Sequence, residues 1–164
     1  MRFWRICRRR YAAEAASGEG AYFYGGRWNS RGVRVVYAST SLALAAIETF
    51  VNLEPRLQPK DLVSIEGEIP EALEIERVSL KALPLHWHKT RDESLRRFGD
   101  EWIHAGRTVA LLVPAAPIPG EWNILLSPAH AEFKRVSFYE PKAFEFDVRM
   151  FRGRPDSHVE PRRH

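Results

Sequence analysis

Glu48 is the acidic side chain whose surroundings in the sequence are hardest to explain as an ordinary surface position. It lies in the stretch STSLALAAIETFVNL, residues 39–53, with Ala45 and Asn52 about one helical turn away on either side. A carboxylate on a largely apolar surface is costly unless a cation or hydrogen-bond donors compensate it. A fixed carboxylate of this kind can oppose positive charge that develops during a reaction. The alternative is a solvated glutamate on the outer face of a helix.

Arg27 is the cation that we expect to compensate this carboxylate. It lies in YGGRWNSRG, residues 24–32, after Gly25 and Gly26, which let the backbone approach a ligand closely. A guanidinium offers a planar fork of donors that fits phosphate or carboxylate better than the point charge of lysine. The segment is neither a G-x-G-x-x-G motif nor a P-loop. The sequence therefore predicts that Arg27 and Glu48 line one pocket.

Two other sets of reactive residues carry less weight. His86 and His88 in HWH would share one strand face and, with His104, could ligate a metal ion. No fitting carboxylate or cysteine set accompanies them, so no metal is expected. Cys7 is the single cysteine, which excludes an internal disulfide and favours a buried structural thiol.

Two helices are predicted from hydrophobic spacing and capping residues. The first follows the hydroxyl run Ser39–Ser41 and carries Glu48. The second spans residues 90–106, where Thr90 and Glu93 form a capping box and Gly106 can end the helix. Its apolar stripe consists of Leu95, Phe98 and Trp102.

Short strands are predicted between and after these helices. They are RFWRI (2–6), VRVVYAS (33–39), DLVSIEGEI (61–69), TVALLVP (108–114), WNILLS (122–127), RVSFY (135–139) and AFEFDV (143–148). The pattern favours a single α+β domain over residues 1–150, with mixed central β-sheets and flanking helices. Residues 151–164 are rich in Arg, Pro and His and are expected to form a basic, flexible tail.

Charge and hydropathy exclude several classes of protein. The net charge is +4, but five arginines lie in residues 1–10, and four lie in residues 151–164 against two acids. The region between them holds 16 basic and 19 acidic residues, which argues against direct nucleic-acid binding by a basic face. No apolar run is long enough to span a membrane, and the start lacks the apolar stretch of a signal peptide. We expect a cytoplasmic protein.

Two segments carry a resemblance to a known family. Residues 10–53, RYAAEAASGEGAYFYGGRWNSRGVRVVYASTSLALAAIETFVNL, combine GGRWN, VVYAS and a helix with a central glutamate. Residues 110–130, ALLVPAAPIPGEWNILLSPAH, contain a Val-Pro strand end, an asparagine and a Pro-x-His turn. Together they resemble the RES domain, a bacterial toxin family named for an arginine, a glutamate and a serine.

The resemblance implies a fold related to ADP-ribosyltransferases and a reaction that consumes NAD⁺. Matched by motif, the catalytic residues are Arg27, Tyr37 and Glu48. Glu48 would stabilise the positive charge on the ribose as the nicotinamide bond breaks, and Arg27 would hold the pyrophosphate. Tyr37 would stack on nicotinamide or hydrogen-bond its amide.

Further NAD contacts follow from the same match. GGRWN is interpreted as a phosphate- and ribose-orienting turn that includes Trp28 and Asn29. Trp28 and Trp122 either line the pocket or belong to the core. Asn123 lies in the second matched segment and either hydrogen-bonds the ligand or caps a turn.

The serine of the family pattern is replaced in this chain. It would follow Pro114, where the sequence has Ala115. Either Ser127 or the run Ser39–Ser41 supplies the hydroxyl, or the protein works without it.

The resemblance implies the toxin of a two-gene toxin–antitoxin module, blocked by a cognate antitoxin of the Xre/DUF2384 type. The first hypothesis is transfer of ADP-ribose from NAD⁺ to a host metabolic protein, such as a nucleotide-biosynthesis enzyme. The alternatives are an NAD⁺ glycohydrolase or phosphorylase without a protein acceptor, and a catalytically silent binding module.

Overall fold

Eight strands and three α-helices form the regular structure of residues 1–54, 59–89 and 93–151, which a computed structural model describes. The strands are β1 (Arg2–Arg8), β2 (Val36–Ser39), β3 (Leu62–Glu68), β4 (Ile75–Arg77), β5 (Ala110–Pro114), β6 (Trp122–Leu126), β7 (Ser137–Phe138) and β8 (Lys142–Phe144). The α-helices are α1 (Glu19–Tyr24), α2 (Leu42–Val51) and α3 (Glu93–Ala105). Short 3-10 helices span Arg9–Tyr11, Leu80–Ala82, Trp87–Lys89, Ala131–Arg135 and Val148–Phe151.

All eight strands belong to one mixed sheet of order β4-β5-β6-β2-β1-β3-β7, with β8 also paired to β3. The pair β4–β5 is parallel, and the other pairs are antiparallel. The α+β class with a mixed sheet and flanking helices, predicted from the alternation of short elements, is confirmed.

The sheet is nearly divided between β1 and β2. Strand β1 pairs with β3 along its full length, from Arg2 opposite Glu68 to Arg8 opposite Leu62, and β2 pairs with β6 along its full length. The register between β1 and β2, in contrast, has a single residue pair, Trp4 opposite Ser39. Beyond this pair the Tyr37 carbonyl accepts a hydrogen bond from the Arg5 side chain at 2.7 Å. The two halves of the sheet therefore diverge and leave space between them.

Helix α2 begins where the sequence predicts. The Ser41 hydroxyl accepts a hydrogen bond from the Leu44 N–H at 3.1 Å, so Ser41 is the N-cap. Leu44 and Ala45 are buried, and the helix packs against β1 and β2. This packing places Glu48 next to the gap between β1 and β2.

Helix α3 supports the other side of the same region. Leu95, Gly99 and Trp102 form its buried face, whereas Phe98 is only partly buried. Leu95 and Trp102 pack with Trp28, Val35, Leu111 and Leu125 in one of the hydrophobic clusters. Gly106 ends the helix with a left-handed φ of 56°, as its position in the sequence predicts.

Several predicted elements differ from the structure. Helix α1 and strand β4 were not predicted, and the two C-terminal strands are shorter than their sequence patterns. The prediction that HWH lies on a strand was wrong, because Trp87–Lys89 form a 3-10 helix and His86 has a φ of 61°. Thr90 of the predicted capping box and residues 152–164 of the predicted tail lie outside the described residues. Within the described ranges, no helix combines the length and the apolar character of a transmembrane segment.

Candidate active site

A cavity of about 410 Å³ lies where β1 and β2 diverge. Its wall includes Arg27, Tyr37 and Glu48, the three residues that the sequence match singled out. Side chains from β1, β2, α2 and β6 and from the loop before β2 contribute to it. Arg27 and Glu48, predicted to line one pocket, are both in the wall of this cavity.

The Glu48 carboxylate is held by a short chain of hydrogen bonds. Asn123 donates from its Nδ2 to Glu48 Oε1. In turn, the Ser39 hydroxyl donates to Asn123 Oδ1 at 2.7 Å. Ser39 and Asn123 are directly opposite each other on β2 and β6, so the pairing of these strands fixes the chain. The carboxylate thus obtains its compensating hydrogen bond from Asn123, whereas the sequence had suggested the arginine.

Arg27 reaches the cavity from the loop between α1 and β2. Its Nη1 donates to the Trp87 carbonyl at 3.1 Å, which ties the loop to the segment before α3. The adjacent glycine is required by space, because a Cβ at Gly26 would lie 2.3 Å from the Tyr37 hydroxyl oxygen and 2.8 Å from Asn29 Oδ1. Gly26 of GGRWN therefore allows close packing within the protein at this point.

Tyr37 uses its hydroxyl to hold the same loop. The hydroxyl donates to Asn29 Oδ1 at 2.7 Å and accepts from the Trp28 N–H at 3.1 Å. Tyr37 also belongs to the cavity wall. Its hydroxyl is already engaged by Asn29 and by the Trp28 N–H within the protein.

Asn29 lies behind the cavity rather than in its wall. It is fully buried, and its Nδ2 is 3.0 Å from each of the carbonyl oxygens of Ala21, Ser30 and Val33. These contacts satisfy the amide within the protein. The expectation that Asn29 contacts NAD is corrected: its side chain shapes the loop that presents Arg27.

Arg5 is a cavity residue that the sequence reading missed. Its side chain occupies the gap between β1 and β2, where Nη1 binds the Tyr37 carbonyl. Its Nε is buried without a hydrogen-bond partner among the described residues. Burial lowers the pKa of the Arg5 guanidinium below its ordinary value, while the neighbouring Cys7 thiol acts in the opposite direction. An arginine inside the apolar strand pattern RFWRI was the available signal.

The serines proposed to supply the missing hydroxyl differ in their distance from the cavity. Ser39 lines the cavity, whereas Ser127 is buried beyond the far end of β6 and is absent from the cavity wall. Ala115 is also buried and outside the wall, although its neighbours Pro114 and Ala116 belong to it. Ser39 is therefore the predicted candidate hydroxyl that the structure brings to the site.

The two tryptophans also differ in position. Trp28 contributes to the wall but is 2% exposed and packs mainly in the core, with its ring 5.9 Å from that of Trp87. Trp122 is outside the wall, and the Arg77 guanidinium lies 3.6 Å from the centre of its ring. Of the two alternatives that the sequence left open for Trp122, the pocket wall is not supported by its position.

The histidines considered as metal ligands do not form a cluster with other ligands. Within the described ranges, no group of three or more His, Cys, Asp or Glu side chains is arranged to hold a metal ion. The His104 Nδ1 is 2.6 Å from the Asp100 carbonyl oxygen on α3.

Comparisons with known proteins identify the family of this chain. Residues 2–148 match the model of the RES domain. The chain is 39% identical over 155 residues to the Prs ADP-ribosylating toxin of Sphingobium sp. (strain YBL2), covering 92% of this chain and 96% of that protein. It is 33% identical over 152 residues to the Toxin Res of Yersinia enterocolitica, covering 92% and 99% of the two chains.

A solved structure has the same fold. One chain of the crystal structure of the M. tuberculosis MbcT–MbcA toxin–antitoxin complex superimposes with a TM-score of 0.69 at 15% identity. The superposition covers 93% of this chain and 87% of that chain. Together with the match over residues 2–148, these similarities establish that the chain belongs to the RES domain family.

Proposed function

We propose that this protein is the toxin of a toxin–antitoxin module that breaks the nicotinamide glycosidic bond of NAD⁺ and transfers ADP-ribose to a host metabolic protein. The observation that carries the proposal is the cavity that Glu48, held by Asn123, shares with Arg5 and Arg27. A carboxylate and two guanidiniums suit a substrate that develops positive charge at one end and carries phosphates further along. The similarity to a protein named as an ADP-ribosylating toxin supports the same reaction.

Glu48 would act at the ribose that bears nicotinamide. When the bond from C1′ to the pyridinium nitrogen breaks, its electron pair leaves with the nitrogen, so nicotinamide departs as a neutral molecule. The ribose then carries oxocarbenium character. A fixed carboxylate stabilises this charge more in the transition state than in the ground state, which is the condition for raising the rate.

The bond that replaces the glycosidic bond comes from the acceptor. A nucleophilic atom of the acceptor forms a bond to C1′, and the proton that it carried passes to a base. Glu48 is suited to accept that proton because its carboxylate lies in the cavity wall. Asn123 acts as a positioning residue for the carboxylate, since its amide binds Oε1.

The two arginines would bind the pyrophosphate. Arg27 and Arg5 are the guanidiniums in the cavity wall, and they approach it from different elements. The buried Arg5 Nε gains a partner if a phosphate oxygen enters the gap. Bidentate contacts to phosphate are characteristic of arginine.

Control by an antitoxin is part of this proposal. The fold is shared with a chain from a toxin–antitoxin complex, which favours a partner protein for this chain as well. We propose that the antitoxin, of the Xre/DUF2384 type, places a segment across the mouth of the Arg27, Tyr37 and Glu48 cavity and so blocks NAD⁺. Arg9 and Arg10 are exposed near the N-terminus and would attract acidic residues of such a partner.

Incubation of the purified protein with NAD⁺ tests the reaction. Free nicotinamide, protein-bound ADP-ribose and free ADP-ribose or its phosphorylated form should be followed with and without host lysate and phosphate. Nicotinamide release with labelled host protein supports the transfer. Release with only soluble ADP-ribose products would instead indicate a glycohydrolase or phosphorylase, and no release would indicate a silent binding module.

A further inference from the structure

The turn at residues 84–89, which we call the 84–89 turn, contains an unusual backbone conformation. His86 has a φ of 61° and is the one non-glycine residue with a positive φ in the described ranges. This left-handed region is costly for a residue with a Cβ, although histidine occupies it more readily than most. Leu85 is 87% exposed, and His86 and His88 are exposed as well. Burial of these side chains therefore does not account for the strained backbone.

The conformation of His86 sets the course of the turn that follows it. The Trp87 N–H donates to the Pro84 carbonyl at 3.1 Å, and the Lys89 N–H donates to the His86 carbonyl at 2.8 Å. Trp87–Lys89 form a 3-10 helix as a result. Because φ of His86 sets the direction of the chain after it, it also sets where the Trp87 carbonyl lies.

Trp87 makes two contacts with the loop that presents Arg27. Its carbonyl accepts a hydrogen bond from Arg27 Nη1 at 3.1 Å, and its ring lies 5.9 Å from that of Trp28. The two partners are consecutive residues, so the 84–89 turn restrains both the guanidinium and the backbone next to it. A backbone carbonyl has no rotamers of its own, and a charged donor strengthens the bond to it. The turn thus helps to fix the guanidinium in the cavity wall.

We propose that His86 is a positioning residue for Arg27, acting through the Trp87 carbonyl that its left-handed backbone places against the guanidinium. Backbone strain persists where the surrounding structure imposes it, and the contacts of Trp87 impose it here. The proposal rests on the proposed function and adds to it a residue outside the cavity wall on which substrate affinity depends. The effect should fall on KM, because Glu48 is held separately by Asn123.

The alternative is that the 84–89 turn only covers the core. Trp87 and Leu83 are partly buried against the cluster that contains Trp28, so a distorted turn would also lower stability. The two roles change different quantities. A purely structural role lowers the melting temperature and the fraction of active molecules, which reduces the apparent kcat and leaves KM unchanged. A positioning role raises KM at temperatures where the protein is fully folded.

Steady-state kinetics of nicotinamide release by His86→Val, well below the melting temperature, test the proposal. Valine is β-branched and disfavours a positive φ, so the turn should relax and the Trp87 carbonyl should move. KM for NAD⁺ should rise about tenfold, as expected when the guanidinium loses a charged hydrogen bond to phosphate, with kcat close to wild type. His86→Gly and His86→Asn should keep the wild-type KM, because both residues adopt the left-handed conformation readily.

His88→Val is the matched control. His88 is exposed on the same turn, but it lies within the 3-10 helix and its φ is not positive. The same substitution there should leave KM at the wild-type value. A wild-type KM in His86→Val, or an equal rise in His86→Gly or in His88→Val, would overturn the proposal. A fall in kcat alone would assign the turn to a structural role.

A double-mutant cycle on stability separates failure of this proposal from failure of the proposed function. The free energies of unfolding of His86→Val, Arg27→Met and the double variant are measured by chemical denaturation, without any substrate. The two effects should be non-additive, because residues that share a contact are coupled. Additive effects would overturn the link between His86 and Arg27 even in an active enzyme. Non-additive effects in a chain that neither binds nor cleaves NAD⁺ would support the link and contradict the proposed function.

Discussion

The amide of Asn123 determines where the Glu48 carboxylate lies, because its Nδ2 donates to Oε1 and its Oδ1 accepts from the Ser39 hydroxyl. Asn123→Ala should lower kcat about 10- to 100-fold with little effect on KM, as expected for loss of a group that orients a catalytic residue. A parallel rise in KM with unchanged kcat in Asn123→Ala would show that Asn123 contacts the substrate instead.

The guanidinium of Arg27 should contribute mainly to binding of the pyrophosphate. Arg27→Lys should raise KM for NAD⁺ about tenfold, because a charged hydrogen bond contributes about 1.5–3 kcal/mol and lysine cannot form the fork. Steady-state kinetics of nicotinamide release measure this. Arg31→Lys is the control, since Arg31 is exposed on the same loop and outside the cavity wall. A wild-type KM in Arg27→Lys would contradict the phosphate role.

At the level of single residues, the sequence predicted the wall residues that belong to short motifs. Arg27, Tyr37 and Glu48 could be found because GGRWN, VVYAS and the helix with a central glutamate are contiguous patterns. Arg5 could not be assigned in this way, because its role depends on the gap between β1 and β2. Asn29 was misassigned because its neighbours in sequence suggest a ligand, whereas its partners are backbone carbonyls up to eight residues away.

Helix α3 holds the Arg27 loop through a contact that only glycine allows. A Cβ at Gly99 would lie 1.8 Å from the Trp28 carbonyl oxygen. Gly99→Ala should therefore lower the free energy of unfolding by about 1–3 kcal/mol, the usual cost of overpacking. The displaced loop should also raise KM for NAD⁺. Chemical denaturation and kinetics on the same preparation measure both effects.

Gly20→Ala is the stability control for this change. A Cβ at Gly20, also within a helix, meets no heavy atom within 4 Å. Alanine should therefore stabilise the protein by up to about 1 kcal/mol through its higher helix propensity. Equal stability of Gly99→Ala and wild type would mean that α3 and the loop separate without cost, contrary to the packing described here.

The longer elements were predictable because their patterns are local. Helix α2 has its N-cap and its apolar face within about a dozen consecutive residues. The side chains of β3 alternate in burial along most of its seven residues. Helix α1 has only six residues, and β4 has three residues at the edge of the sheet. Short elements of this kind depend on tertiary contacts, such as the parallel pairing of β4 with β5, that a local pattern does not contain.

At the level of the whole molecule, the site exists because the sheet divides. Arg5, Glu48 and Asn123 are far apart in the chain and meet only where β1 leaves β2. The fold class could be predicted from the number and type of elements. The strand order could not, because pairings such as β2 with β6 join segments separated by about eighty residues in the chain.

The toxin proposal predicts a growth phenotype that depends on the site. Expression of the wild-type chain alone should arrest growth, expression of Glu48→Gln should not, and co-expression of the antitoxin should restore growth. Raised ionic strength should slow association of the purified partners if the N-terminal arginines steer it. Normal growth of cells that express the wild-type chain without the antitoxin would contradict the toxin role. Immunoblots must verify that the variants are expressed at equal levels.

The most direct test of the central claim is release of nicotinamide from NAD⁺ by the wild-type protein and by Glu48→Gln. Glutamine keeps an oxygen that can accept the Asn123 hydrogen bond, so the fold and the melting temperature should be retained. Loss of the charge that opposes the oxocarbenium should lower the rate at least about 100- to 1000-fold. Equal rates in the two proteins, at equal stability, would contradict the assignment of Glu48 as the catalytic carboxylate.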